Sequence, residues 1–362
     1  MNSRERIRCA TSFNEPDKVP AHLNATKWVV GKLKKEIGAS SDQDLLKALH
    51  IDVYDTRGID LHSGTAPDYI GPENTFFTPE WGGNIFSFWR MHEYENLTAA
   101  GWTIDIEQPP LAKATSINEL EKYLWPENEW FDYSNFRQKL EKWSEFSIMA
   151  SGGSVFQHAT FLRGMDTLMT DMLIEPDLAN YILDKFTGFY YEYYRRMFEA
   201  AGDLIDIFAL ADDFGMQNTL LIGPEQFDEY IAPRLKKMAD LAHRYNIRLL
   251  LHTCGNVEAI IPRFIESGVD ILDPIQPECM NPAEIKKKYG KNICLRGGIS
   301  VQNVITHGTV EDVTTETRKI LNALKPGGGY ILSPGHPVLQ DDIPVENIIA
   351  MYKTGYEYGF YR

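Results

Sequence analysis

The sequence predicts an α/β fold, a (β/α)8 barrel, on three observations. From residue 146 onward a short apolar run, a turn and an amphipathic stretch follow one another six times. Two further strand-like runs near the start bring the count to the eight of a barrel. No GxGxxG follows the first run, so the rival doubly wound dinucleotide fold has no motif behind it.

Taken in order, KVPAHL (18–23) and IDVYDTRG (51–58) are the first two strands. The six later ones are SIMAS (147–151), LIDIFALADD (204–213), IRLLLHTC (247–254), VDILDPI (269–275), ICLRGG (293–298) and YILSPG (330–335). Nearly continuous aliphatic runs suit strands covered on both faces, as parallel strands are. Helices are expected over 163–200 with a break at Pro176, and over 224–245, 257–267, 282–289, 310–324 and 345–358. In the first of these, Phe186, Phe189, Tyr190, Tyr193 and Met197 recur at three- and four-residue spacing, which predicts a core-facing stripe. Gly327 to Gly329 resembles a phosphate cradle, but it precedes a strand and so belongs to the stability face of a barrel. An aromatic-rich stretch, FFTPEWGGNIFSFWR (76–90), carries a hairpin-like GGN and predicts an N-terminal insertion over 76–108 within a single domain, 1–362.

The chain has 51 acidic and 36 basic residues, a formal charge of −15, which disfavours nucleic acid and anionic lipid as partners. There is no apolar run of membrane-spanning length, and Met1 to Pro16 is charged rather than signal-like, so a cytoplasmic protein is expected. Cys9, Cys254, Cys279 and Cys294 are too sparse for a disulfide scaffold. Cys294, within a strand, and Cys9, in the first helix, are expected in the core.

Barrel chemistry gathers at the C-terminal ends of the strands. The polar residues falling there are Asp212 and Asp213, His252 and Cys254, Gln276 to Cys279, Arg296 and His336. His252 and Cys254 lie two apart on a strand, so both point to one side. Imidazole nitrogen with thiolate sulfur suits Zn²⁺, and a catalytic zinc needs one more protein ligand and an open position. His336 is the leading third ligand, with Cys279 and Glu278 in reserve and Asp212 able to ligate or to support a ligand. The plain alternative is a satisfied core histidine beside a small buried thiol. Asp212, Asp213 and Arg296 are the candidates for catalysis, against helix capping for the two aspartates and ion pairing for the arginine. Gln276 and Gln217 are candidate substrate contacts.

At LLLHTCGNVEAIIPRFIESGVDILDPIQP the chain resembles the uroporphyrinogen decarboxylase superfamily, and the likeness runs from RERIRCATSFNEPDKVPAHL to GGGYILSPGH and IPVENIIAMY. The resemblance implies a single (β/α)8 barrel and offers two activities. The decarboxylase branch carries an arginine-rich M-R-Q-A-G-R-Y where this chain reads AHLNATKWVVGKL. A polyanionic porphyrinogen would therefore lack its charge clamp here. The methyltransferase branch moves methyl groups between corrinoid proteins and thiols or methylated substrates. It carries H-x-C and a third ligand, usually Cys, after S-P-G, where this chain supplies His252, Cys254 and His336. The resemblance thus implies a zinc-dependent methyltransferase acting on a small molecule with a corrinoid carried on a partner protein, and Asp213 as an acid that assists a leaving oxygen. Porphyrinogen decarboxylation is the alternative, and a non-catalytic small-molecule-binding barrel a third. The aromatic insertion is expected to shape a corrinoid-protein docking surface or a homodimer contact.

Overall fold

The computed structural model describes residues 1–59, 64–72, 109–336 and 338–361, with two short backbone strands at 94–95 and 104–105. Seven parallel strands form one curled sheet: β1 (Val53–Asp55), β2 (Ser147–Ser151), β3 (Ile205–Ala211), β4 (Arg248–His252), β5 (Ile271–Ile275), β6 (Cys294–Ile299) and β7 (Tyr330–Pro334), paired in chain order. Between β7 and β1 runs the segment expected as the first strand. Ala21 bridges Leu332 and His22 bridges Val53, both in parallel, so residues 20–23 fill the eighth position and close the ring. Pro20 has no N–H to donate, and only its carbonyl pairs, with Leu332 N at 2.8 Å. The closure is therefore made of single bridges and not a full ladder.

The strands separate two apolar clusters. Inside the ring sit Val53, Met149, Ile207, Leu250, Ile271, Cys294 and Ile331. Outward-facing residues such as Phe208, Leu249, Leu251 and Leu295 meet the surrounding helices. The helix Ser3–Thr11 plugs the N-terminal end of the ring, inserting Ile7 into the inner cluster. Arg4 and Arg8 fasten it to Asp206, at 3.0 and 2.8 Å, and Arg6 to Asp52. Cys294 is fully buried, whereas Cys9 is half-buried on this plug, because the helix presents Ile7 and Ala10 inward instead.

The long helix Pro176–Ala201 buries the expected stripe of Phe186, Phe189, Tyr190, Tyr193 and Met197. The helical stretch expected from 163 to the break at Pro176 is the helix Met165–Ile174, and a helix the sequence reading did not mark, Gln157–Arg163, precedes it, parted from it by Gly164 at φ 89°, a conformation that favours glycine. Gly327 to Gly329 take φ of 77°, 69° and 62° and pack against the plug, with Gly328 in close approach to the Asn14 backbone, far from the strand C-termini. Of the expected insertion, an antiparallel pair, Tyr94–Glu95 with Ile104–Asp105, is described, while the GGN turn and the aromatic run 76–90 lie outside the described residues. No helix among the described residues is long and apolar enough to cross a membrane.

Candidate metal centre at the barrel mouth

Two residues past the inner apolar layer, the same strand faces turn polar. On β4, Leu250 is followed on the inner face by His252, on β5 Ile271 by Asp273, and on β6 Cys294 by Arg296. Asp273 is 1% exposed. Its Oδ2 takes the His252 Nδ1 at 2.9 Å, and its Oδ1 lies 3.1 Å from Arg296 Nε. The Arg296 guanidinium reaches across the lumen to within 3.9 Å of the Met149 sulfur. Burial opposes the charge on Asp273, but Arg296 and then His252 outweigh it and lower its pKa.

With Nδ1 fixed, His252 presents Nε2 to Cys254 Sγ at 3.6 Å and to Asp213 Oδ1 at 3.7 Å. Ligand atoms of Asp213, His252 and Cys254 all lie within 4.8 Å of one another. Asp213 is itself held, accepting from Cys254 N at 2.8 Å and from Gln157 Nε2 at 2.8 Å. Burial disfavours the imidazolium of His252, yet Cys254 and Asp273 raise its pKa well above the usual value. Burial likewise disfavours the Cys254 thiolate, yet His252 and His336 lower its pKa. Nitrogen, sulfur and carboxylate oxygen converging on one point, with the imidazole oriented by a second carboxylate, match the donor chemistry of Zn²⁺ or a related divalent ion.

His336 stands beside this group but not within its tightest set of three. Burial disfavours its imidazolium, yet Cys254 raises its pKa, and its Nδ1 lies 3.3 Å from the Val338 carbonyl. The third donor nearest to His252 and Cys254 is therefore Asp213, with His336 as a neighbour on the thiol. Glu278 faces away from the group, its Oε1 accepting from Ser300 Oγ at 2.6 Å and Gln302 N at 3.2 Å. Cys279 is half-buried, and burial, Glu278 and Cys254 all push its thiol up, so it is held protonated.

Asp212 is committed elsewhere. Its carboxylate accepts from the Ser154 hydroxyl and from the backbone N–H groups of Val155, Phe156 and Gln157 at 3.0, 2.8 and 2.8 Å, which fixes the loop after β2 and the start of the helix that follows. The structure thus places Asp212 as an acceptor that braces this loop and helix start. Gln276 Oε1 accepts from Gly255 N at 3.1 Å and braces the turn after Cys254. Gln217 is exposed and bonds the Glu278 carbonyl at 3.0 Å, so it ties two mouth loops together. Asp273, Gln157, Asp55 and Arg57 were not singled out by sequence. Asp273 sits two positions past the inward-facing Ile271, and only its register with His252 on the neighbouring strand marks it.

The family model described as uroporphyrinogen decarboxylase matches residues 105–358. The methylcobamide:CoM methyltransferase MtbA of Methanosarcina mazei is 26% identical over 218 residues, 60% of this chain and 60% of that protein. The uroporphyrinogen decarboxylase of a Prochlorococcus marinus strain is 26% identical over 185 residues, 50% of this chain and 48% of that protein. The matches thus span three fifths or less of these relatives' length. A solved structure of a methyltransferase from Methanosarcina mazei superposes with a TM-score of 0.67 at 20% identity, covering 99% of both chains. That likeness establishes the fold.

Proposed function

Because the chain belongs to the uroporphyrinogen decarboxylase family, and because its barrel mouth gathers a thiolate, an imidazole and a carboxylate, we propose that it is a metal-dependent methyltransferase, moving a methyl group between a corrinoid carried on a partner protein and a small thiol or methylated substrate. The carrying observation is the group of Asp213, His252 and Cys254 within 4.8 Å. The methyltransferase relatives support the same activity. Asp213, His252 and Cys254 would hold Zn²⁺, with His336 able to replace or join the carboxylate. A bound zinc lowers the pKa of a coordinated thiol, so that thiolate, the competent nucleophile, exists at neutral pH.

The chain's own residues do the positioning. Asp273 fixes the His252 tautomer so that Nε2 faces the group. Gln157 and the Cys254 amide hold the Asp213 carboxyl in place. Gln276 and the close approach of Gly255 to the Gly215 backbone keep the β4 turn tight, since a Cβ at Gly255 would lie 2.4 Å from Gly215. A corrinoid is too large for a filled barrel, so its carrier docks on the mouth.

Mixing the zinc-loaded protein with a methylated corrinoid protein and a panel of thiols tests this. The cobalt absorption changes in the presence of one thiol class, and Cys254→Ser abolishes the change. No metal-dependent change for any pairing overturns the proposal. Porphyrinogen decarboxylation is the lesser reading, because AHLNATKWVVGKL contains no arginine. Coproporphyrinogen produced over many turnovers would promote it.

A further inference from the structure

A second groove opens at the opposite, N-terminal end of the barrel, away from the metal group. It has a volume of about 700 Å³ and lies between the plug helix, through Arg8 and Ser12, the start of β3, through Asp206, and the segment Tyr245 to Arg248 that enters β4. Arg248 is the first residue of β4 and His252 the last, so groove and metal group stand roughly 13 Å apart along that strand. Arg8 spends only its Nε on Asp206, at 2.8 Å, and neither Nη has a partner among the described residues. Arg248 donates to Asp270 through Nη1 at 3.1 Å and to Ser12 Oγ through Nη2 at 3.3 Å, which leaves its Nε unused among the described residues. The two side chains keep 60% and 41% of their surface accessible. Beside them, the Tyr245 hydroxyl and the Asn246 amide make no hydrogen bond among the described residues.

Fastening the plug accounts for these arginines only in part. Asp203 is held by both Nη atoms of Arg137, at 2.7 and 2.8 Å, and Asp206 by Arg4 and Arg8 together with the Ser147 hydroxyl. Asp270 pairs with Arg248 and with His243. Three carboxylates thus face four guanidiniums, an excess of positive charge in a chain whose formal charge is −15. Each of these carboxylates is already paired, so the capacity left over around the guanidiniums is that of donors. A monocarboxylate is filled by one guanidinium fork. A phosphate monoester has three terminal oxygens and about two negative charges, enough for forks arriving from two elements. The groove is also larger than a bare phosphate and of the size of small-molecule sites. Its half-buried Tyr245 ring offers a surface for an organic part.

We infer that this groove is a second binding site, for a small phosphorylated molecule, with Arg8 and Arg248 as the phosphate donors and Tyr245 and Asn246 against its organic part. An occupant bridges the plug helix and β4. The site does not depend on the methyltransferase reading.

Calorimetry on the full-length zinc-loaded protein, at about 150 mM salt so that diffuse surface attraction is screened, tests this. The probes are glycerol 3-phosphate, glycerol and succinate. The ester is expected to bind with a Kd below about 1 mM and glycerol not at all. Succinate, whose two charges sit on separate carboxylates, binds more weakly than the ester by about tenfold or more. Arg8→Gln combined with Arg248→Gln lowers ester affinity about tenfold or more, which places the site in the groove because both side chains lie at the end far from the metal. Should that variant fail to fold, Asn246→Asp serves, since Asn246 is exposed, holds no ion pair and has φ 58°, which aspartate also adopts. The added carboxylate lowers ester affinity about fivefold or more. No binding of the ester, succinate bound as tightly as the ester, glycerol bound as tightly as the ester, or ester affinity unchanged in the folded variant overturns the site.

Discussion

Asp273→Asn is the substitution that most sharply separates stability from site chemistry. The carboxylate is 1% exposed and serves two partners at once, His252 Nδ1 at 2.9 Å and Arg296 Nε at 3.1 Å. An asparagine offers one acceptor oxygen in place of two, and turns an N–H2 toward whichever partner it does not serve. Arg296, 3% exposed, then loses its counter-charge. Removing one partner of a buried pair costs about 3–5 kcal/mol. Loss of the carboxylate behind a ligating histidine separately weakens metal binding by about 10- to 100-fold, or roughly 1.4–2.7 kcal/mol. Urea unfolding of the metal-free protein reads the first quantity, and competition with a chromophoric chelator reads the second. Adding Arg296→Met in the Asp273→Asn background removes the stranded charge, so stability recovers in part while metal affinity stays low. A single variant with metal affinity within about twofold of the parent would refute the orienting role of Asp273, whatever its stability.

Asp212→Asn places an amide N–H2 against the backbone donors of the 154–157 loop. It is expected to destabilise the protein by about 2–3 kcal/mol in urea, with metal content unchanged. Loss of metal at unchanged stability would return Asp212 to the site. His158, bonded to the Tyr190 hydroxyl at 2.7 Å, is pushed by burial from 6.5 to about 3. The unfolded chain therefore binds its proton first, so this contribution to stability is complete above pH 6.5 and is lost as pH falls toward 3. Between pH 7 and 5 it amounts to about 2 kcal/mol, which His158→Gln should remove from the pH dependence of unfolding. Asp55, lowered to about 2 because Arg57 outweighs burial, adds stability that is full above pH 3.8 and lost as pH falls through 2. Arg57→Gln should therefore flatten the acid limb of a stability titration below pH 4, and an unchanged limb would argue against the pair.

The strands were legible because each is buried on both faces, which leaves an uninterrupted aliphatic run in the sequence. The first strand was legible too, although Pro20 reduces its pairing to single bridges. Helix interiors were less so. The π-helical turns Phe227–Ile231 and Val301–Ile305 carry no residue pattern that separates them from ordinary helix. At the site, His252 and Cys254 stood out because polar side chains at the end of an apolar strand need partners. The partners themselves were hidden. Asp273 reads locally as the start of an Asp-Pro turn, and only the neighbouring strand register, His252 beside Asp273, turns it into the support of a ligand. Asp212 and Asp213 are adjacent and alike in sequence, yet successive residues face opposite ways, and one caps a loop while the other joins the metal group. Likewise His336 and Asp213 could not be ranked from spacing, because that choice depends on how the loops after β3 and β7 fold over the mouth.

The central claim is that Cys254 and His252 hold a divalent metal at the barrel mouth. X-ray absorption at the zinc edge of the loaded protein tests it most directly. The expected spectrum shows one sulfur scatterer at about 2.3 Å with nitrogen and oxygen ligands completing the shell, and Cys254→Ser removes the sulfur. A shell without sulfur, or one unchanged in Cys254→Ser, would contradict the claim.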